Sequence, residues 1–478
     1  MDEGEWAVTE LAEAALGDSR RTDRLVELAS QLARQPERSL PSACQDGAQL
    51  KAAYHFFSNP HIAPQAVLAA HVQRTQERMQ AQGDGVVLAV QDTTELDYST
   101  HRATTGLGAL NDAQQRGMLV HTTLALTPER VPLGLLAQEV LLRDPATVGK
   151  RHQRKRRAIG AKESHKWLVS LTAVNALAAQ CPDTHLVSVG DREADVYEVL
   201  AAVRQPNVDV LVRAAWDRAL VSQRGEAAHL WEAAEQAAEA GTLEVQAPAR
   251  PATAGKAAQP GRRAVLTVRW GQVQLRPPYR APIPGVEQER LGPVTVMLVW
   301  AHEDCPPVGA EALEWLLLTT EALRSPAQAL VRVEWYACRW GIEVFHKVLK
   351  SGCRLEARQL GTAAGLERAL TLYSIIAWRI LWATLVVRVA PELPASVLLE
   401  REEWEALYCT VRKTAQPPST APTLREAVRW IAQVGGFLGR KGDGEPGVTV
   451  LWRGMGRLAD LTAMYRILRP TPAPARCG

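Results

Sequence analysis

VVLAVQDTTELDY, residues 86–98, decides the fold. Its opening run, VVLAVQ (86–91), is short and mostly apolar, which predicts a buried strand, and Asp92 follows directly. A second such pair stands further on. LVSVG (186–190) predicts another strand, with Asp191 just past its end. Carboxylates beyond the ends of neighbouring strands can converge on one cation. Neither motif is specific alone, because an aspartate after a strand is ordinarily a helix cap or turn residue. Both motifs are also rich in acids, so Asp97, Glu193 and Asp195 compete as ligands.

Working outward, LVHTTLAL (119–126) and VPLGLLAQEVLL (131–142) predict two strands. The short TPER between them suits an antiparallel hairpin. KESHKWLVSLTAVNALAAQ (162–180) and EADVYEVLAAVRQ (193–205) predict helices, and DVLVRAA (209–215) a fifth strand. Three strands, helix, strand, helix, strand is the order of a mixed α/β layer. The pattern breaks at 216–310, which is rich in Pro, Gly and Ala around 247–262. Strand-like runs follow at 264–270, 272–276 and 295–300, predicting a β-rich insertion in the core domain. WLLLTT (315–320) then resumes the core.

Residues 1–70 are predicted to be helical, with Leu25, Leu28 and Leu32 on one face and Asp18 as a cap. Arg20, Arg21 and Arg24 open that helix, either as solvated charges or as DNA contacts. Residues 371–478 are mostly helical, with breaks at 417–422 and 435–447. The expected division is therefore a helical segment (1–70), an α/β core (71–370) and a second helical segment (371–478). A total of 478 residues fits several domains, and 46% hydrophobic with 22% charged residues is a soluble, globular composition. Seven cysteines without a CxxC pair indicate neither a disulfide framework nor a zinc site, and a reducing cytoplasm fits them. The apolar stretch Leu370 to Val389 contains Arg379 and Arg388, so it reads as a buried or amphipathic helix, and no membrane partner is expected.

A long helix is expected from about Ser325 to Lys350, with Pro326 in its first turn. On it lie Tyr336, Arg339, Glu343, Lys347 and Lys350, at spacings of 3, 4, 4 and 3. At roughly 100° per residue these five share an arc of roughly 80°. A solvated charged face is the ordinary explanation. Yet one carboxylate among three cations and a tyrosine also suits an acid that binds metal beside phosphates. Phosphodiesters resist hydrolysis, and two divalent ions held by carboxylates can activate the nucleophile and stabilise the leaving oxygen. The net charge of +3 does not itself point to nucleic acid. The run KRHQRKRR (150–157), followed by Lys162 and Lys166, does, because such density is repulsive without an anionic partner.

These motifs together resemble the insertion-sequence-4 family of bacterial DDE transposases. ALGDSRRTDRLVELASQLA (15–33) is similar to the family's end-binding segment. LAVQDTTELDY (88–98) and VGDREADVYEVL (189–200) are similar to its two aspartate motifs. WYACRWGIEVFHKVLKSG (335–352) carries its Y-(2)-R-(3)-E-(6)-K signature at Tyr336, Arg339, Glu343 and Lys350. The segments 434–447 and 451–461 resemble its dimerisation region.

The resemblance implies an RNase H-like mixed-sheet core with a β-rich insertion, flanked by helical domains. It implies that Asp92, Asp191 and Glu343 are the metal ligands, holding two Mg²⁺ ions, with Mn²⁺ as a substitute. It also implies phosphate contacts from Tyr336, Arg339, Lys347, Lys350 and Arg213, and base stacking by Trp315. The implied partners are terminal inverted repeats, target DNA and a second copy of the chain, in the bacterial nucleoid. A simple nuclease and an inactive DNA-binding form are the alternatives.

Overall fold

The computed structural model describes residues 6–469, apart from 45, 84, 113, 148–158, 223–225, 248–257 and 280–290. The basic run 150–157 and the Pro-rich tail fall outside the described residues.

One sheet organises the molecule. Its strands are β1 (Val86–Asp97), β2 (Gly108–Ala109), β3 (Arg116–Leu126), β4 (Pro132–Leu141), β5 (His185–Gly190), β6 (Val208–Arg213), β7 (Ala238–Ala247), β8 (Arg262–Leu275), β9 (Val294–His302) and β10 (Glu314–Thr319). They lie in the order β2-β3-β1-β5-β6-β10-β9-β8-β7, with β4 also paired to β3. β1, β3 and β4 are antiparallel neighbours, whereas β5 and β6 run parallel to β1. Three antiparallel strands followed by two parallel ones make an RNase H-like sheet.

The helices are α1 (Trp6–Leu11), α2 (Ser19–Arg34), α3 (Leu40–Ala43), α4 (Gly47–Ser58), α5 (Pro64–Gln80), α6 (His165–Ala178), α7 (Tyr197–Ala201), α8 (Leu230–Gln236), α9 (Pro326–Ala337), α10 (Trp340–Lys347), α11 (Ala363–Val386), α12 (Arg401–Arg412), α13 (Leu424–Val434) and α14 (Val448–Leu468). They cover both sheet faces. Leu88 and Val90 of β1 join one apolar layer with residues of α9, α10 and α11. Val87 and Ala89 point the other way, into a layer with Trp167, Leu171 and Val174 of α6. The period-2 alternation of a strand thus feeds two cores, so the first half of β1 reads as an unbroken apolar run.

Two sequence expectations change here. The runs at 264–270 and 272–276 form the single strand β8, because its ladder with β9 continues through Gly271. The expected β-rich insertion supplies β7, β8 and β9, which extend the core sheet through β10. The helix expected over 193–205 is only a 3-10 turn (Arg192–Ala194) and α7. Asp195 interrupts it, because its carboxylate bonds to residues 215–218 instead of leaving the backbone free to wind.

In α2, the Asp18 carboxylate accepts the Arg20 N–H at 3.0 Å, as expected of a cap. That bond is worth about 1 kcal/mol, whereas burial of Leu25, Leu28 and Leu32 contributes about 1.5–3 kcal/mol each, so the apolar face decides the helix. The N-terminal helices are tied to the core by a buried carboxylate. Burial of Glu10 would raise its pKa, but His71 and Arg78 beside it hold the group down at about 2. The His71 ring in turn accepts the Leu135 N–H of β4 at 2.9 Å.

α11 is long and apolar enough to span a membrane, yet 83% of its apolar window is buried inside the fold. It is the central pillar of the helical side. Beyond it, α13 and α14 cross almost backbone to backbone. A Cβ on Gly454 would lie 1.9 Å from the Ile431 carbonyl oxygen, and one on Gly435 1.9 Å from that of Val450. Neither backbone can yield without parting the helices. Gly454→Val should therefore lower stability by about 3 kcal/mol or more. Urea denaturation would show this as a fall in the midpoint, and an unchanged midpoint would mean that the crossing is not close.

Candidate active site

The parallel register of β1 and β5 pairs Val90 with Val189. Two residues further on, Asp92 and Asp191 come level with each other. Asp92 lies within β1 and not beyond it, since β1 continues to Asp97 alongside β3 after its pairing with β5 has ended. Its Oδ1 accepts the Thr93 N–H at 2.7 Å. Asp191 Oδ1 accepts the Glu193 N–H at 2.8 Å and caps the 3-10 turn.

Glu343 arrives from the helical side. The helix expected from Ser325 to Lys350 does begin at Ser325, whose side chain accepts the Gln328 N–H. It does not run straight, however. α9 ends at Ala337, α10 starts at Trp340, and residues Val348–Gly352 form a π-helical turn. Tyr336, Arg339 and Glu343 stay together. Arg339 bonds Glu343 at 2.7 Å, lies 3.7 Å from Asp92, and reaches over the Tyr336 ring at 5.9 Å. Lys350 lies in the π turn. Its Nζ meets the Glu95 carbonyl at 2.8 Å and Glu356 at 3.1 Å. Lys347 is exposed on α10. Such π turns concentrate at functional sites.

The electrostatics are those of crowded acids. Burial pushes the Asp92 carboxyl up to about 6, with Asp191 and Glu343 adding to the rise and Arg339 opposing it. Burial also raises the Tyr336 hydroxyl, which feels Arg339, Arg213 and Asp191. Oxygen donors gathered so that one resists ionisation suit a hard divalent cation. Arg339 supplies positive charge at that place in the metal-free protein.

The competing acids are engaged elsewhere. Asp97 accepts the Ser99 N–H at 2.8 Å, Glu193 pairs with Lys166 at 3.2 Å, and Asp195 is buried against Arg218. A further group, His185, Asp209 and Glu321, brings its ligand atoms within 4.8 Å of one another. It lies around the start of β5, six residues before Asp191 and so about 20 Å from it along the strand direction. His185 bonds Asp209 at 3.0 Å, Asp209 accepts the Thr320 hydroxyl at 2.8 Å, and Glu321 pairs with Arg332. These partners make it a brace between β5, β6 and α9.

Family models match the chain in three places. A transposase DNA-binding model covers residues 3–62, a transposase DDE domain model 170–379, and a transposase Tn5 dimerisation domain model 375–470. The chain belongs to the Tn5-like DDE transposases. It is accordingly a DNA transposase that depends on divalent metal, binds DNA and forms dimers. The DDE match includes Asp191 and Glu343, while Asp92 precedes it and joins them through the sheet register and Arg339.

The transposase places its other expected contacts unevenly. Arg213, the last residue of β6, donates to the Glu314 carbonyl at 2.6 Å and lies within electrostatic reach of Tyr336. Trp315 is only 3% exposed, with its ring 5.2 Å from Tyr336 and 5.7 Å from Trp340. Its ring is buried beside these two aromatics. Trp340 is not one of the four signature positions of its motif, although its place four residues after Tyr336 is a signal that the two share a helix face. Of the N-terminal arginines, Arg20 pairs with Asp18, Arg24 pairs with Glu27, and Arg21 donates to the Leu16 carbonyl.

Proposed function

We propose that this transposase moves DNA by cutting and pasting at terminal inverted repeats, with Asp92, Asp191 and Glu343 as its catalytic carboxylates. Two Mg²⁺ ions, for which Mn²⁺ substitutes, would be held by these oxygens and would supply Lewis acidity at the reacting phosphate. The observation that carries the proposal is the Arg339 guanidinium shared by Glu343 and Asp92, with Asp191 close enough to raise the Asp92 pKa. Two of the three carboxylates share one positive charge, and the third lies near Asp92.

The reaction sequence is hydrolytic nicking of one strand, attack of the freed 3′-OH on the opposite strand to form a hairpin, hairpin opening by water, and joining of the 3′ ends to target DNA. Tyr336, Arg339, Lys347, Lys350 and Arg213 grip phosphates around the cut. Trp315 stacks on a displaced base once DNA shifts the aromatic cluster that covers it. Residues 1–70, with Arg20, Arg21 and Arg24, read the transposon end, residues 71–370 carry the chemistry, and residues 371–478 pair two subunits in a synaptic complex.

The test is a labelled terminal repeat, taken from the DNA that flanks the gene, incubated with the protein and Mg²⁺. Nicked, hairpin and joined products should appear in that order. Hydrolysis without joining would indicate a simple nuclease, and binding without cleavage a DNA-binding protein only.

A further inference from the structure

We infer that Trp216 is a stacking platform for an unpaired nucleobase, held in position by Asp195. Fourteen tryptophans occur in the chain, and all lie among the described residues. Trp216 alone is largely exposed, at 65%. An exposed indole on a loose loop would carry no message. This one sits on a loop that is fastened from below.

The fastening is the buried carboxylate of Asp195. It accepts the backbone N–H of Ala215 at 2.7 Å and that of Trp216 at 3.2 Å, and it also accepts the Arg218 Nε at 2.9 Å. Arg218 returns a bond to the Asp195 carbonyl at 2.8 Å and lies 5.8 Å from the Tyr197 ring centroid. The neighbouring Asp217 is turned away, accepting the Trp231 N–H at 3.0 Å. Asp195 thus gives up the helix its sequence would favour in order to fix residues 215–218. A preorganised aromatic side chain loses little conformational freedom when a ligand stacks on it.

The location selects the ligand. β5 and β6 are parallel, with Gly190 paired to Val212, so Arg213 comes level with Asp191. Trp216 follows three residues later. Arg192 directly follows Asp191 and Arg213 ends β6, so two cations lie at this end of the paired strands. Cations beside a flat π-face fit a nucleic-acid strand, whose phosphates and bases alternate. Within a duplex the bases are already stacked on each other. A base unpaired near the cut has lost that partner, and an aromatic face restores it.

The inference rests on the placement of the active centre at Asp191, and the test separates the two. Affinity is measured without divalent metal for a blunt duplex and for the same duplex bearing a single-stranded oligothymidine tail. Trp216→Ala should weaken the tailed probe about 5- to 100-fold, the equivalent of roughly 1–3 kcal/mol per stacked base. Binding of the blunt probe should stay within about twofold. Trp216→Phe should keep most of the preference for the tail. Asp195→Asn, with Trp216 intact, should lose part of it. An unchanged ratio of tailed to blunt affinity in Trp216→Ala would overturn the inference. So would an equal loss for both probes. Glu343→Gln should keep the preference for the tail. If that variant still cleaves DNA, the active-centre assignment fails while the stacking result stands on its own.

Discussion

Glu343→Gln should bind transposon ends like the parent and yet cleave them at least about 100-fold more slowly. Groups that merely support a metal ligand cost about 10- to 100-fold when removed, so loss of a ligand's charge should exceed that range. Glutamine keeps the length of the side chain, and its carbonyl oxygen can still accept from Arg339, which now bonds Glu343 at 2.7 Å. The fold has little reason to change, because the Glu343 side chain is 52% exposed. A mobility shift with a labelled terminal repeat measures the first half of the prediction, and cleavage with Mg²⁺ the second. Cleavage at the parental rate would remove Glu343 from the site.

Asp92→Asn should abolish cleavage and, at neutral pH, stabilise the metal-free protein. Burial, with Asp191 and Glu343 nearby, lifts Asp92 from an ordinary value of 3.8 to about 6. The folded state therefore holds this proton more tightly than the unfolded chain does. Stability contributed by the protonated group is fully present below about pH 4, declines as pH rises, and is gone above about pH 6. The full difference corresponds to about 3 kcal/mol. Asparagine cannot ionise and escapes the loss, although it also forgoes the attraction to Arg339. Thermal melts of parent and variant at pH 4 and pH 7, with chelator present, should diverge only at the higher pH. A parallel pH dependence in the two proteins would show that Asp92 does not titrate in this range. Metal binding has the complementary sign, since Asp92 must lose its proton to become a ligand, so affinity should climb as pH passes through about 6.

Local pattern explains what was legible in the sequence. The apolar runs before Asp92 and Asp191 are strands because a strand buried on both faces must be apolar throughout. Tyr336, Arg339 and Glu343 stay together because spacings of three and four bring side chains to one face of a helix, even across the break at Cys338. Local pattern loses its hold where a long-range partner intervenes. Lys350, in the π turn, is engaged by the Glu95 carbonyl and Glu356, which its spacing could not foretell. The strands of the insertion join the core sheet because β10 offers β9 a free edge.

The acids around Asp92 and Asp191 show the same division. Sequence by itself determined that several carboxylates follow two strand runs, and that another sits on a helix with Tyr and Arg. It could not rank them, because a carboxylate's role depends on what it already touches. Only the folded structure brought Lys166 to Glu193 and the loop at 215–218 to Asp195, while Asp97 is held by Ser99 two residues on. Those partners, up to 27 residues away in the chain, occupy three of the acids. Asp92 and Glu343 remain on Arg339, and the strand register sets Asp191 level with Asp92.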